Sequence, residues 1–365
     1  MPHWFEITNS DEVLSPALLF YPERIKQNIG RMLSIAGSAD RLRPHVKTYK
    51  CKEVVRLQMD AGINKFKCAT LKEAEMVAQC GIKDVLVAYP LVGPNKKRFL
   101  QLMDRYSDTK FSVLVDHADQ IAGWKSMTHT HSAIHVFIDL DAGMHRTGAT
   151  PEKADLLVGL LSNPSFEFRG WHCYDGHIHQ TNYSERQAAV EQQYKPLLEL
   201  VNKYGLEGKE FICGSSISFP IHATYPKRTL SPGTTLLWDH GYSTKFPDLQ
   251  FDVAAILMAR VVTKPERDLL CIDLGYKAVA SEMKEAPVFF PQIPDAEIQT
   301  HSEEHLVIKT KDAEKWKIGN VVYGIPWHIC PSVAMYDQAG VVRYGKVSDY
   351  WSIVARTRYH QVNEN

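Results

Sequence analysis

The sequence predicts a (β/α)₈ barrel followed by a smaller, mostly antiparallel β domain. Over the first two-thirds of the 365 residues, short apolar runs alternate with helical patterns. The runs are continuous rather than alternating, as is typical of parallel strands that are buried on both faces. There are eight of them, the number of strands in this barrel. After about Tyr242 the pattern changes to short strand-like runs with no long helix between them, which indicates the second domain.

The barrel elements can be assigned in chain order. A helix is expected to start at Pro22, a second one at Thr70, where Glu73 completes a capping box, and a third at Thr150-Pro151. A doubly wound sheet is the alternative, but no G-x-G-x-x-G motif follows the first predicted strand. The predicted strands are 42–47, 66–69, 84–88, 111–115, 134–138, 166–171, 210–213 and 234–238.

The second domain is predicted from turns that contain Gly, Pro, Asp or Lys between short apolar runs. The barrel domain is placed at 16–242, and the β domain at 243–365 together with the N-terminal segment 1–15. The predicted strands of the β domain are 253–262, 269–272, 305–308, 321–323, 341–344 and 351–355.

The amino-acid composition argues against several classes of protein. Lys plus Arg and Asp plus Glu number 42 each, so nothing indicates a nucleic-acid or anionic-membrane partner. No apolar run reaches the length of a membrane span, and the N-terminus has no signal-peptide pattern. Seven scattered cysteines do not predict a disulfide framework. We therefore expect a soluble, cytoplasmic protein.

Lys47 is the first candidate for chemistry. It closes the first predicted strand, and residues just past the C-terminal ends of barrel strands face the active site. A lysine at such a place can lose its proton and form an imine with a carbonyl group. The alternative is a solvated lysine that starts a loop.

Small residues and hydroxyls near the seventh and eighth predicted strands suggest a phosphate site. Gly214, Ser215 and Ser216 follow the seventh strand, and Gly233 and Thr234 lead into the eighth. Phosphates in barrels are often bound at these loops by backbone N–H groups. Each segment alone is also an ordinary turn.

His328 and Cys330 form a candidate metal pair. On an extended backbone, residues two apart project from the same face, so both side chains could bind one ion. Nitrogen and sulfur ligands favour zinc over magnesium, and two ligands leave positions open for water or substrate. The alternative is a buried cysteine beside an unrelated histidine.

Two further loops carry polar candidates. Tyr174 could contact a cofactor ring, and His177 or His179 could act as acid, base or ligand. In the loop after the fifth strand, Arg146 could pair with a carboxylate or orient a cofactor. Structural roles in holding the loops are the alternative for the histidines and for the arginine.

Eight motifs occur along nearly the whole chain: RPHVKTYK (43–50), YPLVGP (89–94), DLDAGMHRTG (139–148), CYDGHIH (173–179), SPGTTLLWD (231–239), IDLGYKAV (272–279), SEEH (302–305) and PWHICPSV (326–333). Together they resemble the D-threonine aldolase and D-serine dehydratase group. These are fold-type III pyridoxal-phosphate enzymes, related to alanine racemase in the barrel.

The resemblance implies roles for the candidates. Lys47 would carry pyridoxal 5′-phosphate, and the phosphate would be surrounded by Gly214, Ser215, Ser216, Gly233 and Thr234. His328 and Cys330 would bind a divalent metal, zinc first, with manganese or magnesium as alternatives. Racemases of this fold place an arginine where this chain has Ser231, so racemase activity is disfavoured. Enzymes of this fold also form homodimers, and we expect one by analogy alone.

The expected activity is a lyase reaction on small D-configured 3-hydroxy amino acids. In a dehydratase, Lys47 removes the Cα proton and the metal assists departure of the β-hydroxyl, giving a 2-oxo acid and ammonia. The His328–Cys330 pair favours this route, because dehydratases of the group have a His-x-Cys motif. In an aldolase, His177 or His179 would remove the hydroxyl proton, giving glycine and an aldehyde. A racemase and a non-catalytic cofactor-binding protein are further alternatives.

Overall fold

The computed structural model describes residues 3–127 and 133–358. The chain forms two compact units. The predicted domain limits stay a prediction, and their outermost residues, 1–2 and 359–365, lie outside the described part. In the described part, one unit consists of 3–30, 48–54 and 234–356, and the other of 31–47, 55–127, 133–233 and 357–358.

Strands and helices alternate over the first two-thirds of the chain, and strands predominate after that. The strands are β1 (Ala17–Phe20), β2 (Lys65–Cys68), β3 (Asp84–Val87), β4 (Lys110–Val115), β5 (Ile134–Asp141), β6 (Phe166–Tyr174), β7 (Glu210–Cys213), β8 (Thr229–Leu230), β9 (Ala255–Thr263), β10 (Leu269–Ile272), β11 (Val288–Phe289), β12 (Glu297–His301), β13 (Leu306–Lys309), β14 (Val321–Pro326), β15 (Gln338–Arg343) and β16 (Lys346–Ser352). The helices are α1 (Pro22–Ala36), α2 (Lys52–Asp60), α3 (Leu71–Gln79), α4 (Pro94–Arg105), α5 (Ala118–Lys125), α6 (Pro151–Leu161), α7 (Tyr183–Tyr204), α8 (Phe219–Ala223), α9 (His240–Lys245) and α10 (Ile329–Val333).

Strands β2 to β8 form a parallel sheet in strict chain order. The segment 42–45 closes it, because Leu42 bridges Leu230 in β8 and His45 bridges Lys67 in β2. The result is a ring of eight parallel segments, so the predicted barrel fold is confirmed and the doubly wound alternative is excluded.

One predicted barrel strand is wrong. Residues 234–238 contain a 3₁₀ helix, since the amides of Leu237 and Trp238 both donate to the Thr234 carbonyl. The eighth strand is instead β8, only two residues long, which ends before Pro232. Pro232 has no N–H to donate to a ladder, although its carbonyl still accepts a hydrogen bond from the His45 amide. Gly233 and Thr234 therefore follow the eighth strand rather than lead into it.

The predicted helix starts are confirmed. Helix α1 begins at Pro22. The Thr70 side chain accepts a hydrogen bond from the Glu73 amide, which satisfies an otherwise unpaired N–H at the start of α3. Thr150 caps α6 in the same way, with Pro151 as the first helical residue.

The unit that includes residues 234–356 contains the second sheet, which is mostly antiparallel. Its main strand order is β12-β13-β10-β9-β1-β15-β16, and β14 pairs with β9 and β11. Strand β1 lies in the middle, antiparallel to β9 and parallel to β15. Leu19, Ile256 and Met258 are fully buried in the core of this sheet. In the part of the chain that the structure describes, no helix is both long and apolar enough to span a bilayer.

Candidate active site

Three of the predicted site residues meet at the C-terminal end of the barrel strands. Lys47 lies in the turn after segment 42–45, and its Nζ is 5.6 Å from the centroid of the Tyr174 ring. Tyr174 is the last residue of β6. The Arg146 guanidinium carbon is 4.9 Å from the same ring centroid. Two cationic side chains therefore flank one aromatic ring.

The loops after β7 and β8 are bonded to each other. Gly214 has φ +91°, and a Cβ there would lie 2.8 Å from His222 Cδ2, so only glycine fits without strain. The Gly233 amide donates to Ser216 Oγ at 3.1 Å. A Cβ on Gly233 would lie 3.1 Å from the His45 carbonyl oxygen. The missing side chains therefore make room for His222 at Gly214 and for His45, at the end of segment 42–45, at Gly233.

The buried Asp175 carboxylate, which supports the loop after β7, was not predicted to be functional. Asp175 is fully buried and accepts hydrogen bonds from Ser218 Oγ and from His222 Nε2, both at 2.7 Å. Ser218 Oγ in turn accepts from the Ser215 amide at 2.9 Å. Asp175 thus fixes the first turn of the loop. The sequence signal was present in the CYDGHIH motif, but an aspartate before glycine is usually a turn residue.

Burial and hydrogen-bond partners together determine the charge state of the Asp175 carboxylate. Burial raises the pKa of Asp175, but the bonds from His222 and Ser218 lower it more, so its pKa lies below the usual value. Arg228 Nη1 donates to His222 Nδ1 at 2.6 Å, which leaves the ring proton of His222 on Nε2. The loop is therefore anchored on an ionised carboxylate.

The two predicted loop histidines differ. Both ring nitrogens of His177 are buried and have no hydrogen-bond partner among the described residues. Its Nε2 is 3.4 Å from the place that a Cβ on Gly143 would occupy. His179 is exposed. Unsatisfied buried nitrogens are costly and often mark a ligand or water site, so His177 is the stronger candidate for an acid or base.

These residues fit pyridoxal phosphate. An amine for the aldehyde, an aromatic ring for the pyridine and a hydroxyl-lined pair of loops for the phosphate belong to one unit of the chain. The assignment of Lys47, Arg146, Tyr174, Ser215 and Ser216 to the cofactor stays a prediction.

The Thr234 side chain lies beside Cys330. Its Oγ1 lies 3.3 Å from Cys330 Sγ, and Thr48 Oγ1 lies 3.1 Å from the same sulfur. Thr48, Thr234 and Cys330 all belong to the unit that contains the second sheet. The structure thus connects the Thr234 side chain with the predicted metal pair.

The backbone expected for the metal pair is wrong, although the two side chains meet. His328 is extended and is the residue before helix α10, whereas Cys330 lies in the first turn of that helix. A hydrogen bond joins the two side chains. They meet because the chain turns into the helix, with the Asp239 carboxylate accepting from the Ile329 amide at 3.1 Å.

The surroundings of Cys330 favour a thiolate. Burial raises the pKa of Cys330, but hydrogen bonds from His328, Thr48 and Thr234 and the charge of His328 lower it more, so the net shift is downward. His328 Nδ1 lies 2.5 Å from Glu282 Oε1. This carboxylate orients the imidazole ring, as carboxylates do for metal-binding histidines.

The donor set of this pair fits zinc. A thiolate and an imidazole are the ligands that zinc prefers, and magnesium and manganese prefer oxygen. No group of three or more His, Cys, Asp or Glu side chains suited to a metal occurs in the described ranges. A pair of side-chain ligands leaves positions for water or substrate, as catalytic zinc sites do.

A buried lysine inside the barrel was not predicted at all. Lys67 on β2 is 2% exposed, and its Nζ lies 3.2 Å from His172 Nε2 on β6. His172 Nδ1 lies 2.6 Å from Asp139 Oδ1 on β5. No sequence signal indicated it, because a lysine in a four-residue strand normally points to solvent.

Comparisons with known proteins assign the chain to a family. A family model described as alanine racemase, N-terminal domain, matches residues 22–239, and one described as putative serine dehydratase domain matches residues 254–342. A D-threonine aldolase from Arthrobacter sp is 27% identical over 354 residues, which cover 94% of this chain and 92% of that protein. A D-serine dehydratase from Dictyostelium discoideum is 25% identical over 385 residues, which cover 92% of this chain and 95% of that protein.

A solved structure agrees in fold along the whole chain. The crystal structure of D-threonine aldolase from Filomicrobium marinum has a TM-score of 0.87 and 25% identity, with 97% of this chain and 98% of that chain covered. The chain therefore belongs to the alanine racemase N-terminal domain family, joined in this protein to a serine dehydratase domain, and it is homologous to pyridoxal-phosphate-dependent lyases.

Proposed function

We propose that this chain is a pyridoxal-phosphate- and metal-dependent dehydratase that converts small D-3-hydroxy amino acids to a 2-oxo acid and ammonia. The observation that carries dehydration is the sulfur of Cys330, which is bonded to His328, Thr48 and Thr234 in surroundings that favour a thiolate. This pair suits a zinc ion with open positions.

Lys47 has the central role in the proposed chemistry. When it is bound at Lys47, pyridoxal phosphate supplies the electron sink that makes the Cα–H bond of an amino acid acidic. The Lys47 amine holds the cofactor aldehyde, exchanges with the substrate amine, and then accepts the Cα proton as general base. Tyr174 and Arg146 orient the ring and the anionic groups beside that amine.

The phosphate is assigned to the loops after β7 and β8. Ser215, Ser216 and Gly214 would bind it through hydroxyl and N–H groups, while the Ser218–Asp175 bonds hold the loop in place. Gly233 would complete the cradle from the other loop, and a contact of Thr234 with the phosphate stays a prediction.

The departure of the β-hydroxyl is assigned to the metal pair. His328 and Cys330 would hold a zinc ion, which would supply Lewis-acid stabilisation of the leaving hydroxide. Glu282 keeps the His328 ring oriented, and Thr48 and Thr234 hold the sulfur. Manganese and magnesium are the weaker choices, because neither prefers a thiolate.

Aldol cleavage to glycine and an aldehyde is the second candidate. It is favoured by the likeness to two D-threonine aldolases and by His177, whose two unpartnered ring nitrogens could accept the β-hydroxyl proton. A homodimer and a cytoplasmic location stay predictions.

Product analysis tests the proposal. The purified protein, loaded with pyridoxal phosphate and zinc, is incubated with D-serine and with D-threonine. We expect pyruvate or 2-oxobutanoate with equimolar ammonia, and loss of this activity in Cys330→Ala or after chelation. Glycine with an aldehyde would replace dehydratase by aldolase, and conversion to the L-amino acid without keto acid would indicate a racemase. Bound cofactor without any turnover would indicate a non-catalytic carrier.

Replacement of Glu282 by glutamine is expected to weaken zinc binding. Its carboxylate accepts the Nδ1 hydrogen of His328 and so keeps the ring aligned, and loss of such a partner typically lowers metal affinity by about 10–100-fold. Competition with a chromophoric chelator measures the zinc affinity directly. Glu285→Gln is the control, because Glu285 pairs with Lys245 instead. Equal zinc affinities of Glu282→Gln and wild type would contradict the role of Glu282.

A further inference from the structure

Lys67 occupies an unusual position for a lysine. Its side chain is buried in the interior of the barrel, and a charged amine costs much free energy there unless it is paired. An apolar residue would fill the same place without that cost. The mechanism proposed above makes no use of Lys67, so its presence calls for a function.

A continuous set of hydrogen bonds leads from Lys67 to the loop after β5. Asp139 Oδ1 lies 2.6 Å from His172 Nδ1, and an ionised carboxylate there holds the ring proton on that nitrogen. His172 Nε2 is then free to accept from the Lys67 amine at 3.2 Å. The other Asp139 oxygen accepts from Thr147 Oγ1 at 2.9 Å. Thr147 is the neighbour of Arg146 in the chain.

The loop that carries Arg146 is fixed by few other bonds of this kind. Asp141 accepts from the Gly143 and His145 amides, and Asp116 accepts from the Gly148 amide. Thr147 ties the loop to the Asp139 side chain, and the Ala149 amide donates to the Asp139 carbonyl two residues further on. Loss of the Asp139–Thr147 bond would therefore act on the segment that places Arg146 over Tyr174.

Lys67 is also the group of this network whose charge changes near neutral pH. Burial and the charge of Lys47 lower its pKa to about 7, against the opposing charges of Asp139 and Asp175. Burial and Lys67 lower the pKa of His172, so that ring is neutral. The groups that act on Lys67 and His172 from other elements are Asp139 on β5, Asp175 after β6, Cys213 on β7, Lys47 and Arg146. Burial raises the pKa of Cys213, which keeps that thiol neutral.

We propose that Lys67 is a positioning residue for binding of an anionic cofactor: through His172 it holds the loop that carries Arg146. With Lys67 protonated, the Lys67–His172–Asp139 network has no net charge. After deprotonation the network carries one negative charge, which opposes a phosphate ester nearby. The inference rests on the proposed use of pyridoxal phosphate.

The test is the affinity of the cofactor-free protein for pyridoxal phosphate, measured by imine absorbance between about pH 6 and about pH 8.5. For wild type we expect the affinity to fall about tenfold as the pH rises through about 7. Lys67→Met should bind about tenfold more weakly at the acidic end and lose that pH step. The cofactor phosphate and the Lys47 amine are present in every variant, so the difference between the curves reports the effect of Lys67.

Two further variants separate positioning from charge. Thr147→Val should weaken binding at every pH and keep the step, because it breaks the loop anchor and leaves Lys67 in place. Lys65→Met is the matched control on the same strand, since Lys65 pairs with Glu210. It should leave both the affinity and the step unchanged.

The outcomes are distinct. If Lys67→Met has the wild-type affinity and the wild-type pH curve, the inference about Lys67 is wrong and the cofactor assignment stands. If wild type forms no imine at any pH, the proposed function fails and this inference fails with it. Should Lys67→Met not fold, as judged by circular dichroism, Lys67→Gln makes the same comparison, because it removes the charge and keeps a donor.

Discussion

The Lys47→Ala variant is expected to form no imine with pyridoxal phosphate and to retain less than about one ten-thousandth of the wild-type kcat/KM. Lys47 is proposed both to hold the cofactor and to accept the Cα proton, and a general base alone contributes about 10²–10⁴-fold. Absorbance of the loaded protein and release of 2-oxo acid measure the two effects separately.

Two controls sharpen this experiment. Lys83→Ala removes a lysine whose amine is exposed and pairs with the exposed Asp108, so neither readout should change. A small added amine should restore part of the turnover of Lys47→Ala, because it supplies a base without a covalent link. An imine band of wild-type strength in Lys47→Ala would rule out this lysine as the site of attachment.

Replacing Arg43 by methionine is expected to lower the free energy of unfolding by about 3–5 kcal/mol. The Arg43 side chain is fully buried in segment 42–45, and its guanidinium binds Asp84 Oδ1 and Glu210 Oε1, each at 2.7 Å. Removing the cation takes the shortest ion pair from both carboxylates, so that Glu210 keeps only Lys65 and Asp84 only the more distant Arg169 as cationic partners among the described residues. Chemical denaturation of the cofactor-free protein measures the change.

The control for Arg43 is a surface ion pair. Arg267 is 87% exposed and binds Glu314, so Arg267→Met should change the unfolding free energy by less than about 1 kcal/mol. The triple variant Arg43→Met, Asp84→Asn, Glu210→Gln should recover part of the loss, because the two carboxylates that Arg43 neutralised are then uncharged. Equal stabilities of Arg43→Met and wild type would show that the two ion pairs of Arg43 do not stabilise the fold.

The same cluster predicts how acid affects stability. Burial raises the pKa of Glu210, but the charges of Arg43 and Lys65 lower it more, to about 2, against 4.5 for an unperturbed glutamate. A carboxyl whose pKa is depressed in the folded state stabilises the fold above the unfolded pKa. We therefore expect this contribution at neutral pH and its loss as the pH falls from about 4.5 towards 2. In Glu210→Gln that part of the acid sensitivity should be absent, as denaturation at several pH values would show.

Much of the fold could be predicted from the sequence, because buried parallel strands leave continuous apolar runs. The eighth strand could not, since β8 has two residues and the apolar run after it is wound into a 3₁₀ helix by bonds to Thr234. Strand β12 was also missed, because its sequence, EIQTH, is largely polar and exposed at the sheet edge.

The site was predictable in so far as it depends on positions at strand ends. Lys47, Tyr174 and Arg146 meet because the C-terminal ends of parallel strands share one rim of the barrel. The buried residues that support the site were not predictable. Lys67 and His172 meet across the barrel interior from strands far apart in the chain, and a local pattern cannot show such a contact.

The central place of β1 in the second sheet has a consequence for biosynthesis. Its four residues, ALLF, leave the ribosome early, but they pair with Ala255–Met258 and with Gly340–Val341, which are made much later. The strand is apolar and almost wholly buried in the finished protein, so until then it exposes an unpaired edge of the kind that promotes aggregation. Loss of the last strands by truncation would make that exposure permanent. Expression of the intact chain is therefore expected to depend on slow, non-local strand pairing and to benefit from chaperones or low temperature.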